Sequence, residues 1–332
     1  VGKSTLVEQF AQREYDRHII IDFSKASRQV TKLFDDMENL DMFFLLLQAH
    51  YGVTLIERKS VIVFDEVQLC PRARQAIKHL VADGRYDYIE TGSLISIRQN
   101  TKGIIIPSEE RRLEMLPLDF EEFCWAIGDE ATIPLLSTFW AKHLPLKQAH
   151  RTIQRKLRLY MLVGGMPQAI STYLATNNMQ EVDRIKRDIL LLYMEDFLKT
   201  DNLGRLSKLF MAIPAQLNRN SRRYYPTGVV GNVETEKMAE LLFELENSKT
   251  INVASHANDP NVGMSLNADY DRYKLFLSDT GLFITLAFWD KDYTENEIYN
   301  KLLSDKLATN LGYVYENLVA QMLRASGNRL FY

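Results

Sequence analysis

Ser60-Val61-Ile62-Val63-Phe64-Asp65-Glu66 is the stretch on which the fold of this chain turns. Four apolar residues, three of them β-branched, run directly into two carboxylates. So short a run suits a strand buried on both faces of a parallel sheet. Its acidic end would lie at the carboxyl edge of that sheet, where α/β proteins bind phosphates. There Asp65 would hold a Mg²⁺ ion through water, and Glu66 would polarise an attacking water. Read alone, the same residues also suit a core strand that ends in a solvated acidic turn.

The flanking sequence decides between these readings. Upstream, Val1-Gly2-Lys3-Ser4-Thr5 reads as the right half of a phosphate-binding loop, G-x-x-x-x-G-K-[ST]. In such a loop the backbone of Gly2, Lys3, Ser4 and Thr5 cradles phosphates at a helix N-terminus. Lys3 would reach the β- and γ-phosphates of ATP, and the Ser4 hydroxyl would join Asp65 around Mg²⁺. Leu6, Val7, Phe10 and Ala11 recur at helical spacing, so a helix is expected after the loop. The first glycine would fall before Val1, so the chain reads as cut at its N-terminus, without the strand leading into the loop. Targeting is then unreadable. His18–Phe23 (HIIIDF) supplies an intervening strand, and Tyr86–Glu90 (YDYIE) a third one, running into Thr91-Gly92-Ser93. Thr91 or Ser93 would sense the γ-phosphate or hold the lytic water, although Ser93 equally suits the N-cap of a following helix.

Composition bounds the rest. A length of 332 residues implies two or three domains, and 46% hydrophobic with 25% charged residues excludes a disordered chain. Lysines and arginines number 40 against 43 acids, a net charge of −3, so no global basic field advertises nucleic acid. A local patch does stand out: Arg219, Arg222 and Arg223, followed by Tyr224 and Tyr225, would suit DNA phosphates and stacked bases, or be a solvated loop. Cys70 and Cys124 cannot build a disulfide framework, which makes the cytoplasm the default compartment. His79, His143 and His150 have no metal-ligand spacing. The greasiest stretch, Met42–Leu47, is too short to cross a membrane.

GKST at the start, VIVFDEVQ at 61–68 and YIETGS at 88–93 resemble bacterial and archaeal ATPases of the AAA superfamily. The group in question places its ATPase domain before a C-terminal domain of unknown function. Further marks keep the family's order: Leu116-Pro117-Leu118-Asp119-Phe120-Glu121-Glu122-Phe123, then Gly164-Gly165-Met166-Pro167, then Lys274 to Leu282 (KLFLSDTGL), then Tyr315-Glu316-Asn317-Leu318-Val319. The resemblance implies an α/β fold: a P-loop, doubly wound parallel-sheet ATPase core over 1–128, lacking its first strand. A helical segment would follow over 129–200, with apolar spacing around Leu157–Leu162 and Ile185–Leu198. A winged-helix-like module would occupy 201–270, with Met238, Leu241, Leu242 and Leu245 on a helix and Thr250–Val253 as a wing strand. The start of a restriction-endonuclease-like α/β domain would occupy 271–332, cut before its acidic strand. Glu316 would then be either a lone acid of that nuclease-like site or a helix residue kept for structure.

The function implied is Mg²⁺-dependent ATP binding and hydrolysis, coupled to conformational change of the C-terminal modules. Lys3, Glu66 and Thr91 would act on the phosphates and the water. The rival reading is a nucleotide-gated switch with little hydrolysis that binds DNA or a protein partner. Gln68 would orient a water, relay to a partner, or simply be a polar turn residue. An arginine finger, if an oligomer forms, could come from Arg111, Arg112, Arg219, Arg222 or Arg223. Trp125 and Trp140, with Phe120 and Phe123, suit a core or a domain interface. A GTPase is disfavoured, since Thr101-Lys102-Gly103-Ile104 lacks the aspartate of a base-reading tetrad.

Overall fold

Ser60–Asp65 is a strand (β2) buried at every position, because helices cover both faces of the sheet it centres. The computed structural model describes residues 2–35, 37–92, 110–219, 223–259, 261, 263–290, 299 and 311–332. They fall into two compact units, Val1–Met115 and Leu116–Tyr332. In the first, β2 pairs in parallel with β1 (Arg17–Asp22) on one side and β3 (Asp87–Glu90) on the other. Side chains alternate across a strand. Ile62 and Phe64 therefore enter one core with Val30 of α2 (Arg28–Leu33), Phe43 of α3 (Leu40–Tyr51) and Ile77 of α4 (Pro71–Asp83). Val61 and Val63 face the other way, onto Ala11 and Val7 of α1 (Lys3–Glu14). Two of these helices begin at clear signals: Asn39 accepts the Met42 N–H at 3.0 Å to cap α3, and Pro71 opens α4.

The expected helix after the loop is present, but its stripe is narrower than the spacing predicts. Ala11 is buried and Val7 half-buried, whereas Leu6 and Phe10 are exposed. The stretch Met42–Leu47 lies in α3, with Phe43, Phe44 and Leu47 inward and Met42, Leu45 and Leu46 exposed. Among the described residues no helix is long and apolar enough to cross a membrane.

The second unit is largely helical. Its elements are α5 (Phe120–Ala126), α6 (Thr132–Ala141), α7 (Gln148–Val163), α8 (Pro167–Thr176), α9 (Met179–Thr200), α10 (Arg205–Met211), α11 (Ile213–Asn218), α12 (Thr227–Val230) and α13 (Thr235–Asn247). After them come β4 (Ile251–Ala257), β5 (Ala268–Leu277), α14 (Thr280–Ala287), α15 (Gly312–Ala325) and β6 (Leu330–Phe331). β4 pairs antiparallel with β5 and parallel with β6.

Two expected boundaries can be set beside the packing. The compact units divide after Met115, and Phe120 and Phe123 of α5 pack on Tyr160 within the second unit, with ring centroids 5.8 and 5.4 Å away. The boundary at 270 lies inside β5, whose pairing with β4 makes one sheet of residues assigned to two modules. One large core runs through this unit, from Phe120 to Leu318, with a smaller cluster of Ala254, Phe276, Ala320 and Leu330 apart from it. Trp125 and Trp140, expected in a core or interface, are 58% and 83% exposed.

The four motifs of this unit that carry the resemblance converge on one buried polar knot. The Leu118 N–H donates to the Gly165 carbonyl at 2.8 Å, and the Tyr160 hydroxyl donates to the Leu118 carbonyl at 2.7 Å. Asp279 accepts from the Gly165 N–H at 2.5 Å and caps α14 by accepting from the Leu282 N–H at 2.7 Å. From α15, Gln321 donates to the Tyr160 hydroxyl and accepts from the Thr280 N–H, both at 2.8 Å, while Asn317 accepts from the Leu277 N–H at 2.8 Å. Lys186 of α9, fully buried, donates to the Leu162 carbonyl at 2.6 Å and the Tyr299 hydroxyl at 3.1 Å. The Tyr299 hydroxyl itself donates to Asp183 at 2.5 Å. Burial lowers the Lys186 ammonium to about 8 and pushes the Asp279 carboxyl up. Groups this deep are tolerated because each is hydrogen-bonded.

Candidate active site

The carboxyl edge of the parallel sheet and the N-terminus of α1 bring the expected residues together. Gly2 precedes the helix at φ 79°, a left-handed conformation that favours glycine. Ser4, in the first turn, donates its hydroxyl to Asp65 Oδ1 at 3.0 Å. Thr91 donates its hydroxyl to the same oxygen. Backbone bonds fix that meeting: the Thr91 N–H donates to the Phe64 carbonyl at 2.9 Å, and the Val67 N–H donates to the Thr91 carbonyl at 3.0 Å. Asp65 is buried, Ser4 and Thr5 are exposed, and Lys3 is half-buried. Among the described residues no carboxylate pairs with Lys3.

Glu66 follows at φ 54°, in the left-handed region, and accepts a hydrogen bond from Gln68 Nε2. So non-glycine a turn costs on the order of 1 kcal/mol and is held here by the short helical turn Val67–Leu69. Gln68 is thus placed to hold the Glu66 carboxylate, a contact that none of the roles read for it names. Ser93 lies outside the described residues, so Thr91 alone of the two polar candidates has a described position.

Three groups at this edge escaped the sequence reading. Asp22, the Cα partner of Asp65 across the β1–β2 ladder, accepts from the Ser24 N–H at 2.9 Å and pairs with Lys25 at 2.9 Å. The Ser24 hydroxyl and Lys25 hold its carboxyl below the usual range. Its signal was available, since HIIIDF ends in an acid just as VIVFDE does. Glu90, immediately before Thr91, pairs with Arg74 of α4, and Arg74 Nη2 donates to Glu110 at 2.7 Å. The Arg74 side chain is only 5% exposed. The hint in sequence was an arginine next to the apolar stripe Ala73, Ala76, Ile77 and Leu80.

Burial pushes Glu90 up to about 7, against the pull of Arg74, while Glu110 adds to the rise. From the ordinary value of 4.5 up to about 7, the folded chain keeps a proton here that the unfolded chain has released. This group therefore makes stability fall as pH rises through that window, and the loss is complete above it. Glu90→Gln, neutral at every pH, should flatten that part of the curve, read as thermal midpoint against pH. An unaltered slope would assign the titration to another group.

The other sequence candidates are dispersed. Arg223 stacks over the Tyr225 ring at 4.8 Å, while Tyr224 is buried, donating to the Leu209 carbonyl at 2.6 Å. Arg219 is exposed, and Arg222 lies outside the described residues. Arg111 is exposed, and Arg112 pairs with Glu110 at 2.9 Å. Glu316 is half-exposed and accepts from Lys274 at 3.1 Å. Among the described residues no three His, Cys, Asp or Glu side chains group as metal ligands.

Residues 1–124 match a family model described as an AAA domain, and residues 154–293 match one described as a domain of unknown function (DUF8612). No curated protein matches the chain. The N-terminal part is thus similar to nucleotide-binding, ATPase-like domains.

Proposed function

We propose that the first unit binds Mg²⁺–ATP at the N-terminus of α1 and hydrolyses it, and that the cycle drives rearrangement of the C-terminal modules. One observation carries the reading: the hydroxyls of Ser4 and Thr91 converge on Asp65 Oδ1, beside an uncommitted Lys3, at the carboxyl edge of a parallel sheet. Hydroxyl and carboxylate oxygens are the donor set that suits Mg²⁺. Ser4 and Asp65 would hold the ion, which when bound neutralises phosphate charge. The backbone of Gly2 to Thr5 and the Lys3 ammonium would bind and orient the phosphates. Glu66, oriented by Gln68, would take the proton of the attacking water at its carboxylate, and Thr91 would report the γ-phosphate.

Lys3→Ala in the intact protein is the direct test. Phosphate release should fall about 10²-fold or more, with ATP affinity weakened as well. Turnover that ignores Lys3 would place the chemistry elsewhere.

A second reading, a nucleotide-gated switch for DNA, draws on the second unit. α10–α11, α12 and α13 precede the antiparallel β4–β5 pair, the element order of a winged helix. Arg223 over Tyr225 and Lys274 over the Tyr332 ring at 5.3 Å add basic and aromatic groups. If this reading holds, ATP changes DNA affinity and DNA changes ATP affinity by the same factor.

A further inference from the structure

Arg74 holds two carboxylates from two different parts of the first unit. Its Nη1 takes Glu90 of β3, and its Nη2 takes Glu110 in the last residues before the division at Met115. Glu90 is the residue before Thr91, whose hydroxyl rests on Asp65. A continuous physical path therefore runs from the oxygen that would meet the ion, through Thr91, Glu90 and Arg74, to Glu110.

The sharing is incomplete. Glu90 Oε1 is buried and has no hydrogen-bond partner, which penalises this arrangement. A guanidinium fork has two ways to serve these acids. In one it is divided between Glu90 and Glu110, as here. In the other both nitrogens pair with Glu90, which satisfies Oε1 and releases Glu110. The first keeps Glu110 and costs Glu90 an oxygen; the second reverses the terms. Such an element has two discrete arrangements, which is what transmission between sites requires.

We infer that Arg74 is a positioning residue that exchanges between these two pairings, so that the nucleotide state sensed at Thr91 sets whether the segment 110–115 is tethered. The inference rests on the nucleotide reading above and adds to it the route by which the ATPase unit addresses the chain leaving it. Arg112, also on Glu110 at 2.9 Å, supplies the carboxylate's remaining partner when Arg74 lets go.

The test is amide hydrogen exchange across 110–116 in the full chain, with Mg-ATP and with Mg-ADP. The two nucleotides should give rates differing by about fivefold or more. Glu110→Gln, which weakens the tether and leaves Lys3, Ser4 and Asp65 untouched, should abolish the difference while ATP affinity stays within about twofold. Arg74→Lys keeps the charge without the fork and should act likewise. A merely structural Arg74 would speed exchange equally with both nucleotides. A nucleotide response that survives Glu110→Gln overturns the relay. Should ATP affinity prove independent of Lys3, the nucleotide reading fails on its own account. The relay is then decided by Thr91→Ala without nucleotide, where unchanged exchange at 110–116 overturns it.

Discussion

Glu66→Gln should bind ATP as tightly as the parent and hydrolyse it about 10²- to 10⁴-fold more slowly. The side chain stands at the sheet edge beside Asp65, on a backbone at φ 54°. Glutamine is isosteric, faces the same backbone demand, and its amide oxygen still accepts from Gln68 Nε2. What disappears is the carboxylate that would take a proton from water. Equilibrium binding of a fluorescent ATP analogue and phosphate release, measured on one preparation, separate the two effects. Turnover equal to the parent's would remove Glu66 from the mechanism. A variant that loses binding as well would mean that the turn, not the base, had been damaged.

Gly165→Ala should be the most damaging single methyl in the second unit. A Cβ there would lie 2.0 Å from the Leu118 carbonyl oxygen and 2.8 Å from its nitrogen. Leu118 has nowhere to go, since its N–H is bonded to Gly165 at 2.8 Å and its carbonyl to Tyr160 at 2.7 Å. Opening that contact breaks the knot rather than bending a side chain, so a loss on the order of 4 kcal/mol or more is expected. In a unit of this size the melting transition should drop by about 10 °C. Gly228→Ala is the control, because a Cβ there meets nothing within 4 Å. It should be neutral or slightly stabilising. A Gly165→Ala protein that melts with the parent would show that the knot yields more easily than its bonds imply.

How much of this was legible in the sequence follows from the range of the interactions concerned. The strands at 17–22, 60–65 and 87–90 could be read because a short apolar run ending in an acid is a local signal, and α/β topology gathers such ends at one edge. Asp65 and the Thr91/Ser93 pair were placed at one edge on that ground, and Ser4 joined them through the G-K-[ST] motif. The Arg74 fork could not be read that way. Its partners lie 16 and 36 residues off, and a buried ion pair leaves no periodic trace. The packing around the expected module boundaries was hidden for the same reason. Phe120 belongs to the second unit through its packing on Tyr160, and β5 belongs with β4 through a ladder that no local pattern announces. The motifs at 164–167 and 279–282 were recognised as marks, but their joint purpose is a set of contacts more than 100 residues apart, such as Gly165 with Asp279.

That knot also imposes an order on biosynthesis. The described strands of the first unit and the Thr91–Asp65 bond have all their residues once residue 91 has left the ribosome. The second unit has no such early finish: Tyr160 waits for Gln321, and Gly165 waits for Asp279. At about 5–20 residues per second, the interval between Tyr160 and Gln321 lasts roughly ten to thirty seconds. Until residues 285 and 299 are made, the polar interior around Lys186 and Asp183 lacks its Thr285 and Tyr299 partners. The nascent chain thus carries a paired parallel sheet ahead of a helical segment still open to chaperones and proteases, and any stop short of residue 321 leaves Tyr160 without its Gln321 partner.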